Sequence, residues 1–270
     1  RGRIGSRFDG IDIFYVEAPD YATTNNIRSL WDARDYLDQD LVLLEADVAF
    51  DAAVVGTLLA QNGSSAAVVP FEPTLSGTVV RRNSAGQVTS FVLSADQGLQ
   101  FDTKDTFKTV NIYVLREQLL REQFLPRLSN AIAAGHVNEY YETILRDCVA
   151  DPRAEVDIAA VDVSASRWSE IDDDRDLDAA EFLFLDRDAQ YDRVQQLHGA
   201  YWRYGFVDHS YLYNMHFPPP DMLEVFHSHL REIVTNYPVA QNEIARLVAN
   251  WTEADPDRLA VANGAAELIK

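Results

Sequence analysis

Lysine is scarce in this chain, cysteine is nearly absent, and long apolar runs are missing. Only Lys104, Lys108 and Lys270 carry an ammonium among 270 residues, so the other cationic side chains are arginine. The lone Cys148 excludes an internal disulfide and with it the usual mark of a secreted domain. No stretch approaches the ~20 apolar residues that span a bilayer, and no signal-peptide pattern is seen. A cytoplasmic protein is therefore expected. Positive charge is heavily outweighed, 23 Lys and Arg against 43 Asp and Glu, for a formal net charge of −20. That balance argues against a general affinity for nucleic acid or for an anionic membrane.

What is present suits a globular protein of one or two domains: 47% hydrophobic and 11% aromatic residues. Strand-like runs at 11–18, 41–50, 66–72, 107–115 and 155–163 alternate with helical patterns at 25–37, 51–61 and 176–184. Two alternating runs around Asn83-Ser84-Ala85-Gly86 predict a hairpin over 77–94. Leu120, Phe124, Leu128 and Ile132 recur every four residues, a helix that Pro126 kinks or restarts and Gly135 ends. This order predicts an α/β domain with a mostly parallel sheet, whose ligands bind beyond the carboxyl ends of strands. Near residue 190 the texture becomes polar, then aromatic over 197–220, then helical. The chain starts on Arg1 and stops on Lys270 without a stop signal; an internal fragment of a longer protein is expected.

Two acidic clusters carry the chemistry. "LVLLEADVAFD" (41–51) interrupts a buried run with Glu45 and Asp47, and "WSEIDDDRDL" (168–177) supplies Glu170, Asp172, Asp173 and Asp174. One acid from each of two strand ends, with substrate phosphates, is the ordinary way to hold Mg²⁺. Asp51, Asp173 and Asp174 read better as helix caps. Asp47 reads better as a ligand, since an acid ending a buried strand has less structural justification. The histidines, among them His198, His209, His216, His227 and His229, show no metal-ligand spacing.

The ordered set "TTNNIRSLWDARDYL", "LLEADVAFD", "SGTVVRR", "KTVNIYVL", "GHVNEYYETIL" and "WSEIDDDRDLDAAEFLF" resembles the nucleotidyltransferase domain of the phosphocholine and phosphonate cytidylyltransferases. The resemblance implies a Rossmann-like fold over 1–187 and CMP transfer from CTP to a phosphonate or phosphocholine-type headgroup, with release of pyrophosphate. By the same resemblance Asp47, Asp172 and Glu170 would be the Mg²⁺ ligands and Lys108 the catalytic cation on the acceptor's oxygens. Asn25 and Asn26 would orient nucleotide or substrate. Tyr140, Tyr141 and Trp168, with Glu142, would box an amine headgroup. Ala46 stands where the family has glycine, and its glycine-rich phosphate loop is absent; "GRIGSR" (2–7) only mimics the spacing. The fragment alone is therefore expected to be inactive. Alternatives are an NDP-sugar pyrophosphorylase acting on a hexose phosphate, or a degenerate nucleotide-binding module.

Residues 188–270 resemble the amino-terminal part of a fold-type I, PLP-dependent aminotransferase of the histidinol-phosphate type. "LHGAYWRYGFVDHSYLYNMHFPPPDML", "VTNYPVAQNEIARLVANW" and "VANGAAELI" carry that likeness. It implies that Tyr237 reaches the PLP phosphate of a partner subunit and that backbone amides of Asn263, Gly264 and Ala265 bind that phosphate. It further implies a homodimer through this domain and a Schiff-base lysine beyond residue 270. The parent protein is thus expected to be bifunctional.

Overall fold

The computed structural model describes residues 5–72, 75–98, 101–197, 204–206, 209, 214 and 216–269. The first part of "GRIGSR", most of the aromatic stretch 198–215 including His198, and Lys270 lie outside the described residues. The chain divides into two compact units, Arg1–Phe206 and Val207–Lys270.

In the first unit, β1 (Arg7–Phe8) and β2 (Ile11–Asp12) form a short exposed hairpin. The strand expected over 11–18 ends at Asp12, because its partner β1, reached across a turn at Asp9 and Gly10, both at positive φ, begins at Arg7 opposite Asp12. Helix α1 (Asn26–Asp32) is anchored by buried Ile27 and begins at Asn25, whose side chain accepts the Asn26 N–H. The single strand expected over 41–50 is two strands. β3 (Leu41–Leu44) joins the main sheet, the chain breaks at Glu45–Asp47, and β4 (Val48–Phe50) pairs elsewhere. Helix α2 (Ala53–Leu59) follows, without the expected Asp51 cap. Asp51 instead forms an ion pair with Arg167 at 2.9 Å, and that side-chain bond holds its carboxyl below the usual range.

β5 (Ser64–Pro70), the hairpin strands β6 (Val79–Arg82) and β7 (Val88–Val92), and β8 (Phe107–Leu115) come next. The hairpin turns where expected, with Asn83 Oδ1 accepting the Ala85 and Gln87 N–H groups. α3 (Glu117–Leu119) runs into a π turn at Leu120–Phe124, and α4 (Leu125–Ala133) restarts with Pro126 in its first turn. The wider turn accommodates the N–H that Pro126 lacks, and Gly135, at φ +87°, ends the helix as expected. α5 (Glu142–Ala150), β9 (Ile158–Asp162), β10 (Trp168–Glu170), α6 (Asp174–Phe184) and α7 (Arg187–Gln195) complete the elements of this unit. Asp173 and Asp176 form a reciprocal capping box on α6.

The main sheet runs β7-β6-β8-β5-β9, with β3 also on β8, and β10 pairs with β4. It is mixed rather than mostly parallel. Among the described residues only β5 and β9 run parallel, because β8 runs antiparallel to β3, β5 and β6 alike. β3 and β6 lie along the same edge of β8, pairing Leu44 with Ile112 and Val79 with Lys108. Between those pairs residues 109–111 of β8 have no strand partner on that edge, only the Thr109 N–H bond to Thr78 O and the Glu45 N–H bond to Asn111 O. That gap positions the site.

Side chains alternate across the sheet. Ala66, Val68, Tyr113 and Leu115 face one core with Ile27, Leu120, Phe124 and Leu145. Ala67, Val69, Ile112 and Val114 face the other with Val54 and Leu58. Each fully buried aliphatic side chain is worth roughly 1.5–3 kcal/mol of transfer free energy. Described residues beyond 187 pack on α6. Gln190 Nε2 donates to Phe182 O at 3.0 Å, Tyr204 Oη donates to Asp178 at 2.8 Å, and the Phe182 and Tyr204 rings lie 4.2 Å apart.

The second unit holds α8 (Pro220–Ser228), α9 (Leu230–Thr235), α10 (Gln241–Thr252) and α11 (Ala265–Ile269). Ala245 and Ala249, one turn apart on α10, are buried, whereas Phe226, Ile233 and Trp251 are exposed. No described helix in either unit is long and apolar enough to cross a membrane.

Candidate active site

The gap in the sheet gathers residues from four segments. Glu45 follows the end of β3, Gly77 and Thr78 precede β6, Lys108, Thr109 and Asn111 belong to β8, and Glu170 ends β10. Lys108 is 1% exposed, with its Nζ donating to Thr109 O at 2.7 Å and lying 3.3 Å from Glu170 Oε2. The strand-edge, solvent-facing position that a lysine ordinarily takes is excluded, because β8 is central and paired on both edges. Nor does its ammonium face solvent to meet an acceptor. It holds Glu170.

Asn111 Nδ2 donates to Glu45 Oε2 at 3.2 Å and to Glu170 Oε1 at 3.1 Å. Its Oδ1 accepts from Thr109 Oγ1 at 3.0 Å. Sequence reading passed over Asn111; its signal is an amide in the middle of the apolar run "KTVNIYVL".

Glu142, the first residue of α5, is buried beside this cluster, and its Oε2 has no hydrogen-bond partner among the described residues. Burial pushes its carboxyl up to about 7, reinforced by the charge of Glu45. Glu45 is likewise raised, first by burial and then by Asp47 and Glu170, against the lowering influence of Tyr141 and Lys108. The Tyr141 hydroxyl is near enough to favour ionised Glu45, yet makes no hydrogen bond of ordinary geometry. Several carboxylates thus share one ammonium.

A cleft of ≈ 570 Å³ opens beside Glu45 and Asp47, walled by Asn25, Asn26, Leu30 and Tyr140. Asn26 Oδ1 accepts the Tyr141 N–H at 2.9 Å, so the expected substrate-orienting pair also ties α1 to the start of α5. Tyr140 is half exposed, while Tyr141 is buried edge-on against Tyr113 at 6.0 Å. The expected box does not assemble: Trp168 packs on the core of the opposite sheet face, with Val48 and Phe50. Tyr141, at the start of α5, packs in the core on the other face.

Of the expected metal ligands, Glu170 has both oxygens engaged by Lys108 and Asn111. Asp47 and Asp172 are exposed, their carboxylates unpartnered among the described residues. Ile171 N–H donates to Asp47 O at 2.8 Å, which sets the two backbone segments side by side. No three His, Cys, Asp or Glu among the described residues form a ready cation cage. Two exposed carboxylates on neighbouring backbone segments are the donor type that Mg²⁺ takes together with substrate oxygens and water.

The residues expected to meet PLP lie in the second unit. Tyr237 is fully exposed, and the Asn263 N–H is already donated to the Glu267 carboxylate at 2.7 Å. A cofactor phosphate bound by the Asn263 N–H would take the place of that carboxylate.

Gly77 is required by its contact with Lys108. Its φ is +107°, and a Cβ there would lie 2.8 Å from both Cε and Nζ of Lys108. Gly77→Ala is expected to lower stability by about 2 kcal/mol, read as a lower denaturant midpoint at unchanged slope. An unchanged midpoint would show that the lysine yields freely.

No family model matches the sequence. Over 268 residues, 98% of the chain, it is 40% identical to "CMP-5'-(3-aminopropyl)phosphonate synthase" of Streptomyces rubellomurinus, and spans 42% of that protein's length. An uncharacterised Sinorhizobium fredii protein is 32% identical over 100 residues, 37% of this chain and 16% of that protein. Among solved structures, CTP:phosphocholine cytidylyltransferase from Streptococcus pneumoniae superposes with a TM-score of 0.50 at 16% identity. That match covers 62% of this chain and 67% of the other. This is a nucleotidyltransferase fold.

Proposed function

We propose that residues 1–187 are the nucleotidyltransferase part of a longer enzyme that transfers CMP from CTP to an aminoalkylphosphonate-type acceptor and releases pyrophosphate. The observation that carries this reading is the 40% identity, over 98% of the chain, to a protein named for a CMP-aminopropylphosphonate product. The cleft agrees chemically, with apolar and amide walls and carboxylates at its floor where a cationic group is attracted.

In this reading Asp47 and Asp172 hold Mg²⁺, which supplies charge neutralisation on the phosphates. Glu45 keeps a negative field at the cleft floor. Lys108 acts from behind, fixing Glu170 instead of touching the acceptor. Residues 188–270 are read as aminotransferase sequence of the same longer protein, with PLP as its cofactor, a dimer as its assembly, and no step assigned here. The visible absorbance of a PLP imine in the full-length protein tests that second reading, and its absence ends it.

The test of transfer uses the full-length protein with CTP, Mg²⁺ and either an aminoalkylphosphonate, phosphocholine or a hexose 1-phosphate. Pyrophosphate release is expected to be fastest with the aminoalkylphosphonate, and to fall by about 10³-fold in Asp47→Asn without loss of folding. Faster turnover of the sugar phosphate would replace this reading with a sugar-nucleotide pyrophosphorylase.

A further inference from the structure

Two carboxylates from distant segments, Glu45 and Glu170, meet at a single neutral side chain. Each is bonded by Nδ2 of Asn111, at 3.2 and 3.1 Å. The amide orientation follows from chemistry: turned over, its oxygen would face two carboxylates, which cannot donate while ionised. Thr109 Oγ1 at 3.0 Å from Oδ1, itself 3.1 Å from Thr78 O, holds the amide from the other side.

The backbone is bent to make this possible. Asn111 has φ +58° in the middle of β8, where the pairing with β5 shifts register between Ala66 and Val68. A left-handed residue inside a strand is costly for most L side chains and tolerated best by glycine and asparagine. Such strain persists where the surrounding structure over-determines it, characteristically at functional sites. The bend falls in the gap between β3 and β6, and the Asn111 carbonyl also accepts the Glu45 N–H at 3.3 Å.

We propose that Asn111 is a positioning residue, whose amide clamps Glu45, which lines the cleft, to Glu170 against their mutual repulsion. Lys108 balances Glu170 from the buried side, and Asn111 joins that balanced carboxylate to Glu45 beside the cleft. The kinetic part of this inference rests on the nucleotidyltransferase reading; the electrostatic part does not.

Two variants of the full-length protein separate shape from donation. Asn111→Gly keeps the left-handed backbone and removes the amide. Asn111→Asp keeps the outline and sets a third carboxylate between the other two. Both are expected to lower kcat by about thirtyfold or more with KM for CTP within about threefold, since positioning acts on the transition state. Asn111→Asp is expected to unfold at a lower denaturant concentration than Asn111→Gly. That difference is expected to vanish when Glu45 and Glu170 are both replaced by Gln. Folding of Asn111→Asp only in the Gln background also supports the clamp. Equal losses in both backgrounds, folding in neither, or an unchanged kcat would overturn it. If the wild-type enzyme releases no pyrophosphate from CTP, the transfer reading fails on its own, and the denaturant comparison still decides the clamp.

Discussion

Lys108→Met is expected to lower the unfolding free energy by about 3 kcal/mol, the lower end of the cost of breaking a buried ion pair from one side. The lower end applies because Glu170 keeps the Asn111 bond and its side chain remains 29% exposed, so water relieves part of the loss. Methionine preserves the length and most of the packing of the stem, so the loss reports the ammonium. Removing it also leaves the Thr109 carbonyl without its 2.7 Å donor and withdraws the cation that lowers Glu45 and Glu142. Equilibrium denaturation should show a lower midpoint with an unchanged slope. A midpoint equal to wild type would mean that the lysine is held by packing alone.

Glu142→Gln is expected to act in the opposite direction, stabilising the protein above neutral pH. The folded-state value is about 7 against 4.5 for the free side chain. The folded state therefore binds the proton more tightly than the unfolded state. Stability from this group is fully present below pH 4.5 and is lost as pH rises through 7. The difference corresponds to on the order of 3 kcal/mol, part of which glutamine forfeits because its amide is also buried. Glu45, raised by the same causes, leaves a residual slope of the same sign. Denaturant midpoints measured between pH 5 and 9 should fall steeply for wild type and much less for Glu142→Gln. Parallel profiles would remove Glu142 as the source. The lowered carboxyls Asp51 and Asp173, the latter at about 2, act only at acid pH and have the opposite sign.

Much of the architecture was legible from local pattern. Alternation and the Asn83–Gly86 turn located the β6–β7 hairpin, the four-residue spacing located α4, and Asp173 announced its own cap. Those features depend on neighbours a few residues away, and so does their signal. The failures share a cause as well. Residues 41–50 read as one strand because apolarity continues past Asp47, although β4 pairs with β10, more than a hundred residues later. Asp51 read as a cap because the helix is adjacent, although Arg167 claims it. Trp168 was grouped with Tyr141 by residue type, although the pairing of β10 with β4 packs it against the core on the other face of the sheet.

The sequence by itself determined the inventory: an α/β chain, acids after β3 and at and beyond the end of β10, and one lysine on a strand. Only the tertiary structure decided which of these meet. Glu45 reaches Asn111 across 66 residues and Glu170 reaches it across 59, because β3 and β6 stop short of one another on the same edge of β8. Register between distant strands is set by pairing and burial and leaves no local trace. The same burial raises Glu142 and Glu45 and makes a buried lysine a structural counter-ion instead of a surface charge.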